Sequence, residues 1–278
     1  MSRRREIDAR LKLLGEIREI MSSLKTLALL ETRKLARFAD TQRGVLDVVE
    51  TASGDFAGHF PMAHWQPACA AAAFVVLGSE RGFCGNYNET LVAALTDALA
   101  AEPRPGLVFA VGQRLVSRLP PGLTGVVPLP GPDAAEQIEQ ALLGLLDAVS
   151  RRQHEVGPLA LTVLHHLPLE EAVQRQPLFP VMPSPATGVT GGPAPALNLA
   201  PGELFRALLD ARLFAGLHAA FYDALAAENH RRMAHLQGAV DHIDRRRAEY
   251  ALQRNALRQE EITEEIELIL LNAPSGGP

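Results

Sequence analysis

Proline placement constrains this chain more than any other feature. Of its 20 prolines, none falls in residues 1–60 or 202–273, eighteen lie from Pro61 to Pro201, and the last two are Pro274 and Pro278. Inside a helix, proline removes a hydrogen bond and clashes with the preceding turn, at a cost of about 3 kcal/mol. Two proline-free flanks around a proline-rich middle therefore predict two long helices, 1–60 and 202–278, on either side of a compact domain, 61–201.

Both flanks carry helical periodicity. In the first, Ile7, Leu14, Met21, Ala28 and Leu35 recur every heptad, with Ile17, Leu24 and Phe38 three residues after most of them. Leu13, Ile20 and Leu27 run alongside and widen the apolar face. In the second, Met233, Leu236, Val240 and Ile243 step by three and four, and Tyr250 and Leu257 continue the register. Arg247 and Arg254 stand where a plain coiled coil would place apolar residues. A helix from Glu203 to Leu271 would run for about 100 Å. Isolated helices in water are marginal, so such a helix needs a partner, and the other flank supplies one in an antiparallel left-handed coiled coil. The alternative is that Gly216 and Gly238 break the second flank into ordinary packed helices, since each glycine costs about 1 kcal/mol in a helix interior.

The middle segment alternates strand and helix. Strands are predicted within 68–78, over 106–112 and 124–129, and at 158–167; helices over 89–102, to about Leu119, and over 133–152. That order implies a mostly parallel, Rossmann-like α/β sheet. The first strand-to-helix turn, GSERGFCGNYNE (78–89), spaces Gly78, Gly82 and Gly85 unlike either phosphate-cradling glycine pattern, and no Gly-Lys-Ser/Thr follows. Cys84 has no assignable base and reads as a small turn residue. His165 and His166 are strand neighbours that face opposite sides. No catalytic set, cofactor site or metal site is legible. The two cysteines, Cys69 and Cys84, form no disulfide framework.

A formal net charge of −5 argues against a dedicated nucleic-acid binder. Only Lys12, Lys25 and Lys34 are lysines, so the positive charge is almost all arginine, which favours two-pronged contacts with carboxylates. The basic start lacks a following apolar run and does not read as a secretory signal. No apolar run approaches the ~20 residues a spanning helix needs, so no direct membrane insertion is expected.

Three stretches resemble one family, the gamma subunits of F-type ATP synthases. The C-terminal run matches through Glu228, Arg232, Met233, Asn255, Arg258, Gln259, Ile262, Thr263, Glu265 and Ile266. The turn matches through Ser79, Arg81, Gly82, Cys84, Gly85 and Asn88, and the opening helix through Ile7, Arg10, Leu11, Ile20 and Ala28. There are departures: Gly15-Glu16 and Ser23-Leu24 replace the family's usual Lys-Asn and Ala-Met, and the ending Leu-Ile-Leu-Leu-Asn-Ala-Pro is atypical. They suggest the divergent sodium-type branch. A plant-type regulatory insert with two nearby cysteines is absent.

The resemblance implies a non-catalytic central-stalk rotor, without cofactor, on the cytoplasmic face of the bacterial inner membrane. Its partners would be the alpha and beta subunits of the catalytic ring, the epsilon subunit and the membrane c-ring, the last two at the foot of the shaft. It also implies that Arg258, Gln259 and Thr263 grip a beta subunit and that Leu24 lies near the beta lever. Arg254 joins the first group as a second cation ahead of Glu260, Glu261, Glu264, Glu265 and Glu267, which form either part of that contact or a solvated face. Leu268, Ile269, Leu270 and Leu271 would turn in an apolar sleeve without directional bonds, or pack on the first helix. Two readings from other classes compete: a Rossmann-fold nucleotide-binding enzyme with helical extensions, and a coiled-coil adaptor that homodimerises.

Overall fold

The computed structural model describes residues 2–60, 68–180 and 194–272. Helix α1 spans Ser2–His59, and the elements that follow are β1 (Ala71–Leu77), α2 (Tyr87–Ala100), β2 (Gly106–Val111), α3 (Gln113–Val116), β3 (Val126–Leu129), a 3-10 turn (Ala135–Gln137), α4 (Ile138–Val156), β4 (Leu159–His166), β5 (Val173–Phe179) and α5 (Pro201–Asn272). The chain divides into two compact units: one formed by the residues up to Leu27 and from Met233 on, the other by Ala28–Arg232.

The larger unit holds a five-stranded sheet in the order β3-β2-β1-β4-β5. β1 pairs in parallel with β2 and β4, β2 in parallel with β3, and β5 closes the edge antiparallel to β4. β1, all apolar, is buried on both faces, as a central parallel strand must be. Its alternate residues sort into two cores. Ala71, Ala73, Val75 and Leu77 pack with Leu35 of α1, Ile138, Leu142 and Leu145 of α4, and Leu217 and Phe221 of α5. Ala72, Phe74 and Val76 pack with Leu91 and Leu95 of α2 and Leu115 of α3. Helices thus cover both faces of a mostly parallel sheet, the Rossmann-like arrangement expected.

Sequence periodicity does not predict β5. Its residues Gln174 and Arg175 are exposed and Pro177 lies within it. An edge strand needs ladder hydrogen bonds on one side only, which is why proline is tolerated there. The predicted helix over 133–152 instead begins at Ile138, behind the 3-10 turn, and runs on to Val156.

In the smaller unit α1 and α5 pair antiparallel. Arg4 meets Glu261 at 2.8 Å, Arg10 the Tyr250 hydroxyl at 3.2 Å, Arg18 Asp244 at 2.6 Å and Lys25 Gln237 at 2.7 Å, so partner numbers fall as residue numbers rise. Ile7, Leu236, Val240 and Ile243 form the buried seam. Leu13, Ile20 and Leu27, expected to widen the apolar face, are instead 55–60% exposed. A two-helix pair buries only a narrow seam, and these residues lie outside it. Arg247, which interrupts the heptads, lies opposite Gly15: a Cβ added to that glycine would stand 3.9 Å from the Arg247 Nη2.

Neither glycine breaks α5, which is helical through both. Gly216 lies against β5, where a Cβ would meet the Leu178 Cδ2 at 2.9 Å. Gly238 has open space around it. Gly238→Ala should therefore stabilise the protein by about 1 kcal/mol through helix propensity alone, read as a rise in the urea midpoint at unchanged m-value; an unchanged or lower midpoint would contradict a continuous α5.

Candidate functional site

Parallel α/β sheets bind ligands in the crevice outside the carboxyl ends of their strands, where the strand order reverses. Here that place lies beyond β1 and β4, and the chain fills it with itself. Along α5, Leu225 and Ala226 pack into one core and Ala227 into the other, so the helix crosses the sheet end. Tyr87, wholly buried at the start of α2, donates its hydroxyl to the Ala224 carbonyl at 3.0 Å. The turn after β1 is held from within: the Ser79 amide donates to Asn88 Oδ1 at 3.0 Å, and Asn88 Nδ2 returns a bond to the Ser79 hydroxyl at 2.8 Å.

Two consecutive arginines then tie α5 to the loops. Arg232 is buried and ion-paired with Glu228 one turn earlier. It also donates to the Gly82 carbonyl at 3.2 Å, to Asn229 Oδ1 at 2.8 Å and to Cys84 Sγ at 3.4 Å. Arg231 turns to the other side. It donates to the Glu171 carbonyl at 3.0 Å, to the Glu170 carbonyl at 3.3 Å, to His166 Nδ1 at 3.2 Å and to Asn86 Oδ1 at 3.4 Å, and lies over the Tyr87 ring. The sequence marks Glu228 and Arg232 only as motif matches and His166 only as a strand residue beside His165, and gives no sign of Arg231. Nothing in their spacing shows which loops they reach.

Burial governs the electrostatics here. It pushes the Glu228 carboxyl up to about 7, against the pull of Arg232. It also pushes the Cys84 thiol, beside Glu228, up to about 12. A thiol that keeps its proton is no nucleophile, so Cys84 is a packed donor, 3.4 Å from the Gly82 carbonyl. His165 and His166 are both buried, and burial lowers each to about 4, with repulsion from His165's neighbour and from Arg231 adding to it. Because His166 Nδ1 accepts from Arg231, its other ring nitrogen carries the proton, 3.2 Å from the Tyr87 carbonyl. Together these bonds tie α5 to the turn after β1 and the loop after β4.

A more open apolar cavity of about 550 Å³ lies in the same unit, lined by Ala52, Asp55, Phe56, His59, Phe60, Leu204 and Leu208 among others. Its His59 ring, half-buried, bonds the Asp55 main-chain oxygen at 3.1 Å. Among the described residues no group of His, Cys, Asp and Glu could hold a metal ion, and no helix is long and apolar enough to cross a membrane.

The residues expected to meet partners lie in the smaller unit and do not form one cluster. Leu24 is half-buried beside the level of the Lys25–Gln237 contact, while Arg254 lies roughly 25 Å further along α5 at the helical rise per residue. Arg254 and Arg258 share one stripe of the helix, and Gln259 and Thr263 another, since only residues three or four apart are neighbours. All four are exposed. The Thr263 hydroxyl bonds the Gln259 carbonyl at 2.9 Å, and Arg4 engages Glu261. Among the described residues, the side chains of Arg254, Arg258 and Gln259 have no hydrogen bond or ion pair within the chain. Leu268, Ile269 and Leu271 are exposed, not packed on α1; the side chain of Leu270 lies outside the described residues. Ile262 and Ile266, noted in sequence only as motif matches, are also about half exposed, and with Ile269 they continue an apolar stripe that their three-and-four spacing could have revealed.

Comparison with known proteins points one way. A family model described as ATP synthase matches residues 3–273. The chain is 27% identical over 240 residues to the ATP synthase gamma chain of Frankia casuarinae, covering 80% of this chain and 79% of that one. It is 24% identical over 286 residues to the gamma chain of a Parafrankia species, covering 96% and 95%. Its fold is similar to a chain of the rotor of the Euglena gracilis mitochondrial ATP synthase, with a TM-score of 0.62 at 12% identity over 94% of this chain and 99% of that one.

Two measurements check the site. Glu228→Ala strands a buried guanidinium and should cost about 3–5 kcal/mol, whereas replacing both partners by methionine should cost much less; equal losses in urea unfolding would deny the buried pair. The second concerns pH. The two histidines are neutral when folded but titrate near ~6.5 when unfolded, so their contribution is complete above about pH 6.5 and is lost as the pH falls towards their folded values. Glu228, raised by folding, acts in the opposite sense over the same range. Glu228→Gln should therefore steepen the acid loss of stability between about pH 6.5 and 4.5, and a flatter profile would contradict these assignments.

Proposed function

Since the chain belongs to the ATP synthase gamma-chain family, the central-stalk subunits, we propose that it turns inside a ring of alpha and beta subunits and couples ion flow through a membrane c-ring to ATP synthesis or hydrolysis at the beta subunits. Segments 1–60 and 202–278 supply the shaft, and 61–201 the foot that meets the epsilon subunit and the c-ring. The complex sits on the cytoplasmic face of the bacterial inner membrane, with this chain peripheral to the bilayer. The chain performs no chemistry of its own.

One observation carries this reading. Residues from opposite ends of the sequence pair antiparallel, and α5 there presents Arg254, Arg258 and Gln259 with side chains that make no hydrogen bond or ion pair among the described residues. A guanidinium without an internal partner suits a carboxylate on another subunit, where charge-assisted bonds can hold one conformation and release it as the shaft turns. Leu24 would bear on the beta lever, and Gln259 and Thr263 would extend the contact. Leu268, Ile269, Leu270 and Leu271 would run in an apolar sleeve, which offers no directional bonds to break. In water alone such a patch is a liability.

The enzyme reading is not favoured. The crevice where a Rossmann-like domain would hold a nucleotide is occupied by Tyr87, Glu228 and Arg232.

In the assembled complex, Arg258→Ala with Gln259→Ala should lower ATP-driven ion pumping relative to ATP hydrolysis, while the chain folds and assembles normally. Losing one charge-assisted bond corresponds to about 1.5–3 kcal/mol. An unchanged ratio of pumping to hydrolysis would remove these residues from the coupling contact.

A further inference from the structure

We propose that the Arg231–Arg232 clamp is the torque-bearing attachment of α5 to the sheet of the larger unit, an inference that rests on the rotor function proposed above. A helix held along one line can roll about its own axis. Consecutive residues project about 100° apart around a helix, so Arg231 and Arg232 hold α5 from two sides. Arg232 reaches the turn after β1, at Gly82 and Cys84. Arg231 reaches the loop after β4, at Glu170 and Glu171, and the His166 ring at the end of that strand. About two turns earlier on α5, the Tyr87 hydroxyl fixes the Ala224 carbonyl. Rolling in either direction breaks bonds on one side or the other.

Two polar ties between α5 and α1 in this unit are of a different kind. Arg43–Asp223 and Arg212–Glu50 each have at least one partner about half exposed to solvent. Water can replace such bonds as they stretch. Arg232, whose side chain is only 10% exposed, holds the Gly82 carbonyl and Cys84 from a buried position, so water does not replace those bonds as they stretch. Torque loaded onto this unit is therefore resisted at the buried Arg232 bonds, with Arg231 opposing roll from the other side. Arg231 and Arg232 act as positioning residues, because they touch neither nucleotide nor transported ion.

The test uses the complex of this chain with its alpha and beta subunits, with the ring immobilised and a probe fixed to the sheet unit, driven by ATP. The quantity read is the angular spread of the probe during pauses. Arg231→Ala and the double variant Glu228→Met, Arg232→Met should both broaden that spread while ATP hydrolysis continues at the wild-type rate. Arg212→Ala, which removes an exposed pair, should leave it unchanged. The double variant keeps the buried volume filled, so a folded complex is available even if Arg231→Ala assembles badly. A wild-type spread in the clamp variants overturns the inference, as does equal broadening in Arg212→Ala. A wild-type complex that never rotates overturns the rotor reading, and this one with it.

Discussion

The structure depends on one constraint: a long amphipathic helix must hide its apolar seam, and among the described residues of the smaller unit the surface that covers it is the other end of the same chain. Ile7 on α1 and Leu236, Val240 and Ile243 on α5 are buried by that pairing. The hydrogen bonds flanking the seam, from Arg4–Glu261 to Lys25–Gln237, fix direction and register more than they add stability, because exposed pairs compete with water. Apolar burial supplies the stability, and the charges select the register.

The larger unit solves a different problem. Its sheet is buried on both faces, and the crevice at its carboxyl edge, where related architectures admit ligands, is closed by α5. A Rossmann-like sheet thereby becomes a mounting for a helix. Burying Glu228 and Arg232 together is tolerable because they face each other one turn apart and the remaining donors find the Gly82 carbonyl, Asn229 and Cys84.

Much of the fold was legible in the sequence, for physical reasons that can be named. Proline exclusion marked both helices, and the apolar runs marked β1, β2 and β4, because strands buried on two faces have no polar side to confuse the pattern. β5 escaped because an edge strand carries Gln174 and Arg175 to solvent and tolerates Pro177. Leu13, Ile20 and Leu27 widen the predicted apolar face because heptad spacing reports a face, not how much of that face a single partner can cover. The candidate site was legible only in part. The turn and the C-terminal run could be matched by their motifs, but a salt bridge across four residues looks identical in sequence whether it lies in water or in a core. Which loops Arg231 and Arg232 would reach depends on tertiary approach, about which local spacing is silent.

The antiparallel pairing also has a history in time. Arg4 and Glu261 are 257 residues apart, and chains are synthesised at about 5–20 residues per second. The seam of α1 must therefore wait on the order of 10–50 seconds after emerging before its partner exists. During that interval a sticky stripe is exposed on the ribosome. A factor that shields nascent apolar helices serves this architecture more than it would a protein whose contacts are local.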